Sequence, residues 1–567
     1  MARNRRKQQS PDAPLLHENH KRPVTRREFL GQGFLSGGAF VMAPTLMNLL
    51  ASPAFAATDT LCGLTTGVGA GKKIPFMCFD LSGGANMAGS NVLVGGPGGQ
   101  EDFISTAGYN KLGLPGDMIP SVADTLNGLG DHVYRGIGLR FHTDSAFLRG
   151  IVSKTSVSTR ANINGAVIPA KSDNDTSNNP HNPMYGIAKF GAKGDLLNLI
   201  GTVNSDSGGS SVAPANLIDL TERPTKVASP SDATGLVDTG QLGSMMPTTA
   251  EAGAVMDAIQ KISFDRIANR KDQLDSLTKI TSETDPTKRK TLQDLVDCGY
   301  RKTSYTVTNF GDISAFDPLS DTDIVDSSPT AVATATATNQ DSLSTILGKG
   351  FDTTMPIFTS GTNGEINNGT FRKTASVMKL VANGLAGAGT VQLGGFDYHT
   401  SDRSTGEKKD FIAGQAIGAA LEYAARKKTP LMVYVFTDGS LASNGTTDGS
   451  PDGRGKGVWT GDNSSTSASF FLVYSPNMPG GPTLLGANAT EQAQHQQLGH
   501  FRDNGSVETT ATTPGANNVN QLVNMLLLNY MALHGTVDPA TFTALFGNGL
   551  GTDAPSLNKL TAFQPIV

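Results

Sequence analysis

The residues whose types and spacing could do chemistry lie in the last third of the chain. Gly394-Gly395-Phe396-Asp397-Tyr398-His399 follows the short apolar run Thr390 to Leu393, and Thr437-Asp438-Gly439-Ser440 follows the apolar run Pro430 to Phe436. An Asp and a His two apart at one strand end, with another Asp at a neighbouring strand end, put oxygen and imidazole ligands on one rim. That donor set suits a hard-to-borderline divalent cation such as Zn²⁺ or Mn²⁺. The same residues also admit a plainer reading, in which Asp397 caps a turn and His399 is a solvent-facing loop residue. Another constellation, Asp448-Gly449-Ser450-Pro451-Asp452-Gly453, places oxygen side chains and a glycine as at the opening of a calcium loop. Trp459 stands where that loop needs a bidentate Glu, so a Gly/Pro turn is favoured over Ca²⁺. His132, His142, His495 and His500 have no partners at ligand spacing and are assigned to core or surface. No nucleotide cofactor is expected.

The elements around these motifs predict an α/β fold. Ile74 to Leu81 reads as a buried strand stopped by Ser82-Gly83-Gly84, and Leu196 to Val203 as a second strand followed by the loop 204–216. Residues 250–299 carry helical spacing with a break at Pro286, and 327–340 is a low-complexity loop. Phe371 to Ala388 reads as a helix, Thr390 to Leu393 as a strand and Asp410 to Lys428 as an amphipathic helix. Pro430 to Phe436 and Ser469 to Tyr474 read as buried strands, and Val519 to His534 as a terminal helix. Continuous apolar strands alternating with helices predict a mostly parallel central sheet with helices on both faces, bearing long surface loops. Ligands in such sheets lie where the strands end at their carboxyl side.

Composition narrows the partners. Glycine supplies 66 of 567 residues, about 12% against a usual ~7%. Only 17% of residues are charged, and 38% are apolar, enough to build a large core. Residues 1–56 hold eight of the 45 basic and three of the 50 acidic residues, so the remainder carries 37 basic against 47 acidic, a net charge of −10. An acidic mature chain argues against nucleic acid or an anionic membrane as partner.

The basic residues near the start form an address. A polar, basic stretch ends in Thr25-Arg26-Arg27-Glu28-Phe29-Leu30, a weakly apolar segment runs from Gly31 to Leu50, and Ala54-Phe55-Ala56 supplies a small-x-small cleavage site. These are the parts of a twin-arginine signal peptide, cleaved after Ala56, and they predict a periplasmic or secreted protein handled by the twin-arginine translocase. Gln32, Ser36, Pro44, Asn48 and the glycines make Gly31 to Leu50 too polar for a stop-transfer helix, and no later segment is long and apolar enough to span. No stable membrane span is therefore expected after cleavage. Of the three cysteines, Cys62 and Cys298 could pair in an oxidising compartment, and Cys78 reads as a core thiol.

Residues 371–474 resemble the carboxyl-terminal part of a large family of twin-arginine-exported bacterial proteins grouped with the alkaline-phosphatase and sulfatase-like superfamily. Leu393 to His399 is similar to that family's Leu-Gly-Gly-Trp-Asp-Thr-His motif, with Phe396 for Trp. Thr437-Asp438-Gly439-Ser440 takes the place of Ser-Glu-Phe-Gly-Arg, and Asp462-Asn463 that of an Asp-His pair. Leu81 to Asn91 resembles the early glycine-rich segment, and His181 corresponds to a mid-chain histidine. The resemblance implies a single alkaline-phosphatase-like domain over 57–567, with insertions near 204–250 and 300–360. It also implies metal ligands at Asp397, His399, Asp438, Asp462 and His181. Asn86 and Asn463 replace the family's Asp and His, which argues against a two-metal centre and leaves Asp80 as a stand-in for the early acid. Ser177, before His181, is the candidate nucleophile. The implied function is a phosphate- or sulfate-ester hydrolase with an incomplete metal site, acting on a small ester. The alternative is an inactive envelope or secretion-associated binding protein with a protein partner.

Overall fold

The computed structural model describes residues 73–172, 179–237, 313–326, 337–400, 402–535 and 537–567, with 251, 254, 255 and 258. The chain divides into two compact units, residues 51–237 with 312–567, and residues 1–50 with 238–311. Nearly all of the second lies outside the described residues, as do the twin-arginine segment, Cys62, Cys298, Ser177 and most of the helical pattern at 250–299.

The larger unit is built on seven strands. They are β1 (Phe76–Leu81), β2 (Ile163–Pro169), β3 (Leu197–Gly201), β4 (Thr225–Lys226), β5 (Ala386–Leu393), β6 (Leu431–Thr437) and, after the hairpin β7 (Leu441–Thr447) and β8 (Gly457–Asp462), β9 (Ala468–Tyr474). The sheet order is β2-β9-β6-β1-β5-β3-β4. β1 is central, parallel to both β5 and β6, and β3 is parallel to β5 and β4. β9 runs antiparallel to β6 and β2, so the sheet is mixed and mostly parallel. The apolar run at 468–474 reveals burial but not direction; direction is set by the β7–β8 hairpin that delivers the chain to β9.

Both faces are covered. On one, Phe76 and Cys78 join Met432, Tyr434, Phe471 and Val473 in a buried cluster with α2 (Met184–Lys189) and α5 (Val519–Ala532), α1 being Ala146–Ser153. By strand alternation Met77 and Phe79 face the other way. There α3 (Gly369–Ala382) presses on β5, where Gly389 leaves room for Val377 and Val381. α4 (Ser404–Arg426) crosses α1 closely because Gly150, Gly414 and Gly418 remove the side chains that would separate their backbones. Among the described residues no helix is long and apolar enough to cross a membrane.

Two boundaries differ from the sequence reading. α3 stops at Ala382 because Gly384 turns the chain with φ 72°, and β5 then begins at Ala386. The small residues Ala386 to Gly389 carry no strand signal, yet Gly387 abuts the backbone of Ala192 and Lys193. α4 starts at Ser404 rather than Asp410, since its first turns bury the charged Glu407 and not an apolar stripe. The expected loop at 204–250 includes β4 and a short helix, Pro230–Gly235.

Candidate metal site at the carboxyl rim of the sheet

Three turns meet where β1, β5 and β6 end. Ser82 donates its N–H to Leu393 O at 2.9 Å, and Phe396 donates to Ser82 O at 3.0 Å. Gly83 N–H reaches Asp438 Oδ1 at 2.9 Å, and Ala85 N–H reaches Thr437 Oγ1 at 2.9 Å. Gly83 and Gly84 take φ near +120°, the left-handed region that glycine adopts without Cβ strain. Gly84 thereby lies against Gly439.

The β5 loop alternates inward anchors with outward ligands. Phe396 and Tyr398 are buried, and Tyr398 donates its hydroxyl to Asp410 Oδ1 at 2.7 Å while accepting from Asn86 N–H at 3.2 Å. The intervening Asp397 and His399 reach the surface. His399 Nε2 lies 2.7 Å from Asp397 Oδ1 and 3.8 Å from Asp462 Oδ1. One ligand atom from each of the three lies within 4.8 Å of the other two. Their side chains are 49%, 30% and 53% exposed for Asp397, His399 and Asp462. Asp462 arrives from the end of β8, where Asn463 N–H donates to Ser440 O at 2.8 Å. Two carboxylates and one imidazole fit Zn²⁺ or Mn²⁺, and three protein ligands leave positions open for a water or substrate.

The remaining expected ligands are placed elsewhere. Asp438 is fully buried, and its carboxylate holds the Gly83 turn instead of joining the trio. Asp80, also fully buried, accepts from the N–H groups of Ser210 at 2.7 Å and Ser211 at 2.9 Å. Burial pushes its carboxyl up to about 6, the neighbouring Asp438 charge adds to this, and those N–H bonds oppose it. His181 is buried under Phe436, their rings stacked at 6.0 Å, with Nε2 3.0 Å from Ser172 Oγ. Burial lowers its imidazole to about 3, so it is held neutral in the core. These three are therefore corrections to the expected ligand set: polar groups at strand ends can be consumed by the turns they support.

The two amides are likewise structural. Asn86 donates to Ala88 O and accepts from Ser90 Oγ, while Asn463 Oδ1 accepts from Ser465 N–H at 3.0 Å. Asp448 and Asp452 belong to a turn, with Asp448 Oδ1 accepting from Ser450 N–H and Asp452 paired with Lys408 at 2.9 Å. Cys78 is a buried free thiol on β1, 3.2 Å from Thr390 Oγ1.

A set of groups beneath the rim escapes sequence reading. Glu407, fully buried, binds Arg149, Arg403 and Lys456, with its closest approach 2.6 Å to Arg403 Nη2. Arg403 also lies 4.5 Å over the Trp459 ring, joining the start of α4 to the strand that carries Asp462. At the rim itself, the half-buried Lys409 lies against Gly395 and 6.0 Å from the Phe396 ring centre. Its ammonium has no hydrogen-bond or ion-pair partner among the described residues. No family model, curated protein or solved structure matches the chain.

Proposed function

We propose that this protein is an exported, metal-dependent hydrolase of alkaline-phosphatase-like architecture, acting on a phosphate or sulfate ester at the Asp397, His399 and Asp462 rim site. The convergence of those side chains carries the reading. A divalent cation there would polarise the ester oxygen and lower the pKa of a bound water. Lys409 would attract the anionic group of the ester, and the exposure of all three ligands leaves room for it. The mostly parallel sheet with ligands at its carboxyl ends, together with the Gly-Gly-Phe-Asp-x-His block, supports the architecture. The twin-arginine-like opening and the acidic remainder support export.

A specific observation favours a second reading. Asp80, Asp438, Asn86 and Asn463, which stand where the family resemblance implies a larger metal centre, are all committed to hydrogen bonds that hold turns, which leaves the Asp397, His399 and Asp462 trio as the candidate cation site among the described residues. On this reading the protein binds metal and an envelope partner without turnover.

Elemental analysis after dialysis against Zn²⁺ or Mn²⁺, followed by assay with 4-nitrophenyl phosphate and 4-nitrophenyl sulfate, separates the two. The hydrolase reading expects about one metal per chain and turnover lost in His399→Ala. Metal without turnover supports the second reading; absence of bound metal in the unaltered protein overturns both.

A further inference from the structure

Both halves of the rim trio are held from below by the start of α4. Arg403, which immediately precedes the helix, and Gly406, Glu407 and Asp410 within it stand three or four apart and so share one face. Gly406 makes room for the Tyr398 ring, since a Cβ there would lie 2.7 Å from Tyr398 Cε2. Asp410 accepts from the Tyr398 hydroxyl at 2.7 Å and from the Asn91 amide at 2.9 Å. Tyr398 stands between Asp397 and His399, so fixing its ring and hydroxyl fixes the backbone from which both ligands project.

The other half hangs on Arg403. Its guanidinium lies 4.5 Å over the Trp459 ring and donates to Gly457 O at 3.3 Å, and Asp402 pairs with Trp459 in an antiparallel bridge. Trp459 is buried three residues before Asp462 on β8. A chain of hydrogen bonds joins the two anchors. Arg403 Nη2 donates to Ser90 Oγ at 3.0 Å, Ser90 Oγ to Asn86 Oδ1 at 2.6 Å, and Asn86 N–H to the Tyr398 hydroxyl at 3.2 Å. Tyr398 donates to Asp410, which returns the path to α4 and closes a ring. None of Arg403, Ser90, Asn86, Tyr398 and Asp410 is more than 3% exposed.

We propose that this buried ring assembles the metal site: Tyr398 is the positioning residue for Asp397 and His399, Arg403 is the positioning residue for Asp462, and Asn86 ties the two together. The inference rests on the metal site of the proposed function. The ligand side chains are largely exposed and have little packing of their own, so their approach depends on what their backbones rest on. A buried polar network whose members satisfy one another specifies one arrangement.

The test uses the full chain, Zn²⁺ and Co²⁺, and three variants. Tyr398→Phe keeps the ring and removes the hydroxyl, while Arg403→Lys keeps the charge and removes the planar fork over Trp459. Leu528→Ala is the control: it opens a cavity in the α5 cluster on the other face of the sheet and destabilises without touching the ring. Each of the first two should weaken Zn²⁺ binding by calorimetry about tenfold, the low end of the ~10–100-fold losses that follow removal of groups supporting a metal site. Each should also alter the visible spectrum of bound Co²⁺, which reports coordination geometry. Leu528→Ala should melt lower yet keep the affinity and spectrum of the unaltered protein. Unchanged affinity and spectrum in Tyr398→Phe or Arg403→Lys overturns the role given to that residue and leaves the metal site standing. An equal loss in Leu528→Ala overturns the whole proposal, because lost stability alone would then explain the effect. If the unaltered chain takes up neither cation, the metal reading itself falls and the ring's role with it. Should Arg403→Lys not fold, Tyr398→Phe decides.

Discussion

Gly83 packs so tightly on Asp397 that a Cβ at Gly83 would lie 2.8 Å from the Asp397 nitrogen and 3.0 Å from its Cβ. The β1 turn is thus the surface on which the ligand loop rests, and Gly83 holds that surface with φ +119°. Gly83→Ala should strain the turn by roughly 1–2 kcal/mol and displace Asp397. We expect a lower melting temperature and weaker Zn²⁺ binding by calorimetry. Gly348→Ala is the control: Gly348 lies in the helix Leu343–Lys349 with open space around its missing side chain, so that change should stabilise by about 0.5–1 kcal/mol and leave Zn²⁺ affinity alone. Equal metal affinity in Gly83→Ala would show that the contact does not position the ligand.

Glu407→Gln keeps the shape of the side chain and removes the charge that three buried cations share. Breaking a buried pair from one side typically costs about 3–5 kcal/mol; Arg149 and Lys456 keep a second partner in buried Asp144, which leaves Arg403 as the cation that loses its carboxylate and puts the expected loss at the low end of that range. Urea unfolding should show a loss of that order, although Glu407 lies in a helix and Gln has similar helix propensity. A change below about 1 kcal/mol would mean that the cations relax to other acceptors.

How far the site is legible in the sequence depends on where each side chain's signal comes from. Asp397 and His399 can be found because they alternate with the apolar Phe396 and Tyr398 just beyond an apolar strand, so period-two reading points them outward together. Asp438 sits in the same kind of position, but whether a strand-end carboxylate faces solvent or caps a neighbouring turn depends on Gly83, 355 residues away in sequence. Asp462 has no signal in periodicity and is named only through the resemblance of Asp462-Asn463 to an Asp-His pair, since its place is set by the pairing of β8 with β7. The sheet follows the same rule. β6 announces itself by an unbroken apolar run, and β1 by one interrupted only at Asp80. β2, interrupted by Asn164 and Gly165, is defined by its partner β9, and the charged groups at the start of α4 hide the helix that they stabilise.

Asp410 gives the stability a recognisable pH dependence. Burial pushes its carboxyl up to about 7, Glu407 adds to the rise, and Tyr398, Asn91 and Arg403 oppose it. The unfolded value is near 3.9, so between about pH 4 and 7 the folded chain holds a proton that the unfolded chain has released. This contribution to stability is full below the unfolded value and is lost as pH rises through the folded one. Asp410→Asn should therefore reduce the decline in melting temperature across that window. Asp80, raised in the same direction, preserves part of it. Buried His181 works the other way: held neutral while the unfolded imidazole charges, it favours stability as pH rises from about 3 to 6.5. The comparison is therefore of slopes between the two proteins, and identical slopes would refute the assignment to Asp410.

Lys409 tests the substrate class. Its ammonium lies against Gly395, two residues before Asp397, and has no ion-pair partner among the described residues. A cation left open on the turn that leads to Asp397 offers the positive charge that an anionic ester requires on approaching an otherwise acidic rim. If that is its role, Lys409→Gln should raise KM for 4-nitrophenyl phosphate while changing kcat little, because the lost attraction acts on the ground state and transition state alike. The effect should shrink as salt is raised, since the Debye length falls from about 10 Å at 0.1 M to about 3 Å at 1 M. Zn²⁺ affinity should hold or rise slightly, as a nearby positive charge is removed. A fall in kcat at constant KM would instead place Lys409 at the reacting group, and unchanged kinetics at low salt would remove it from the site.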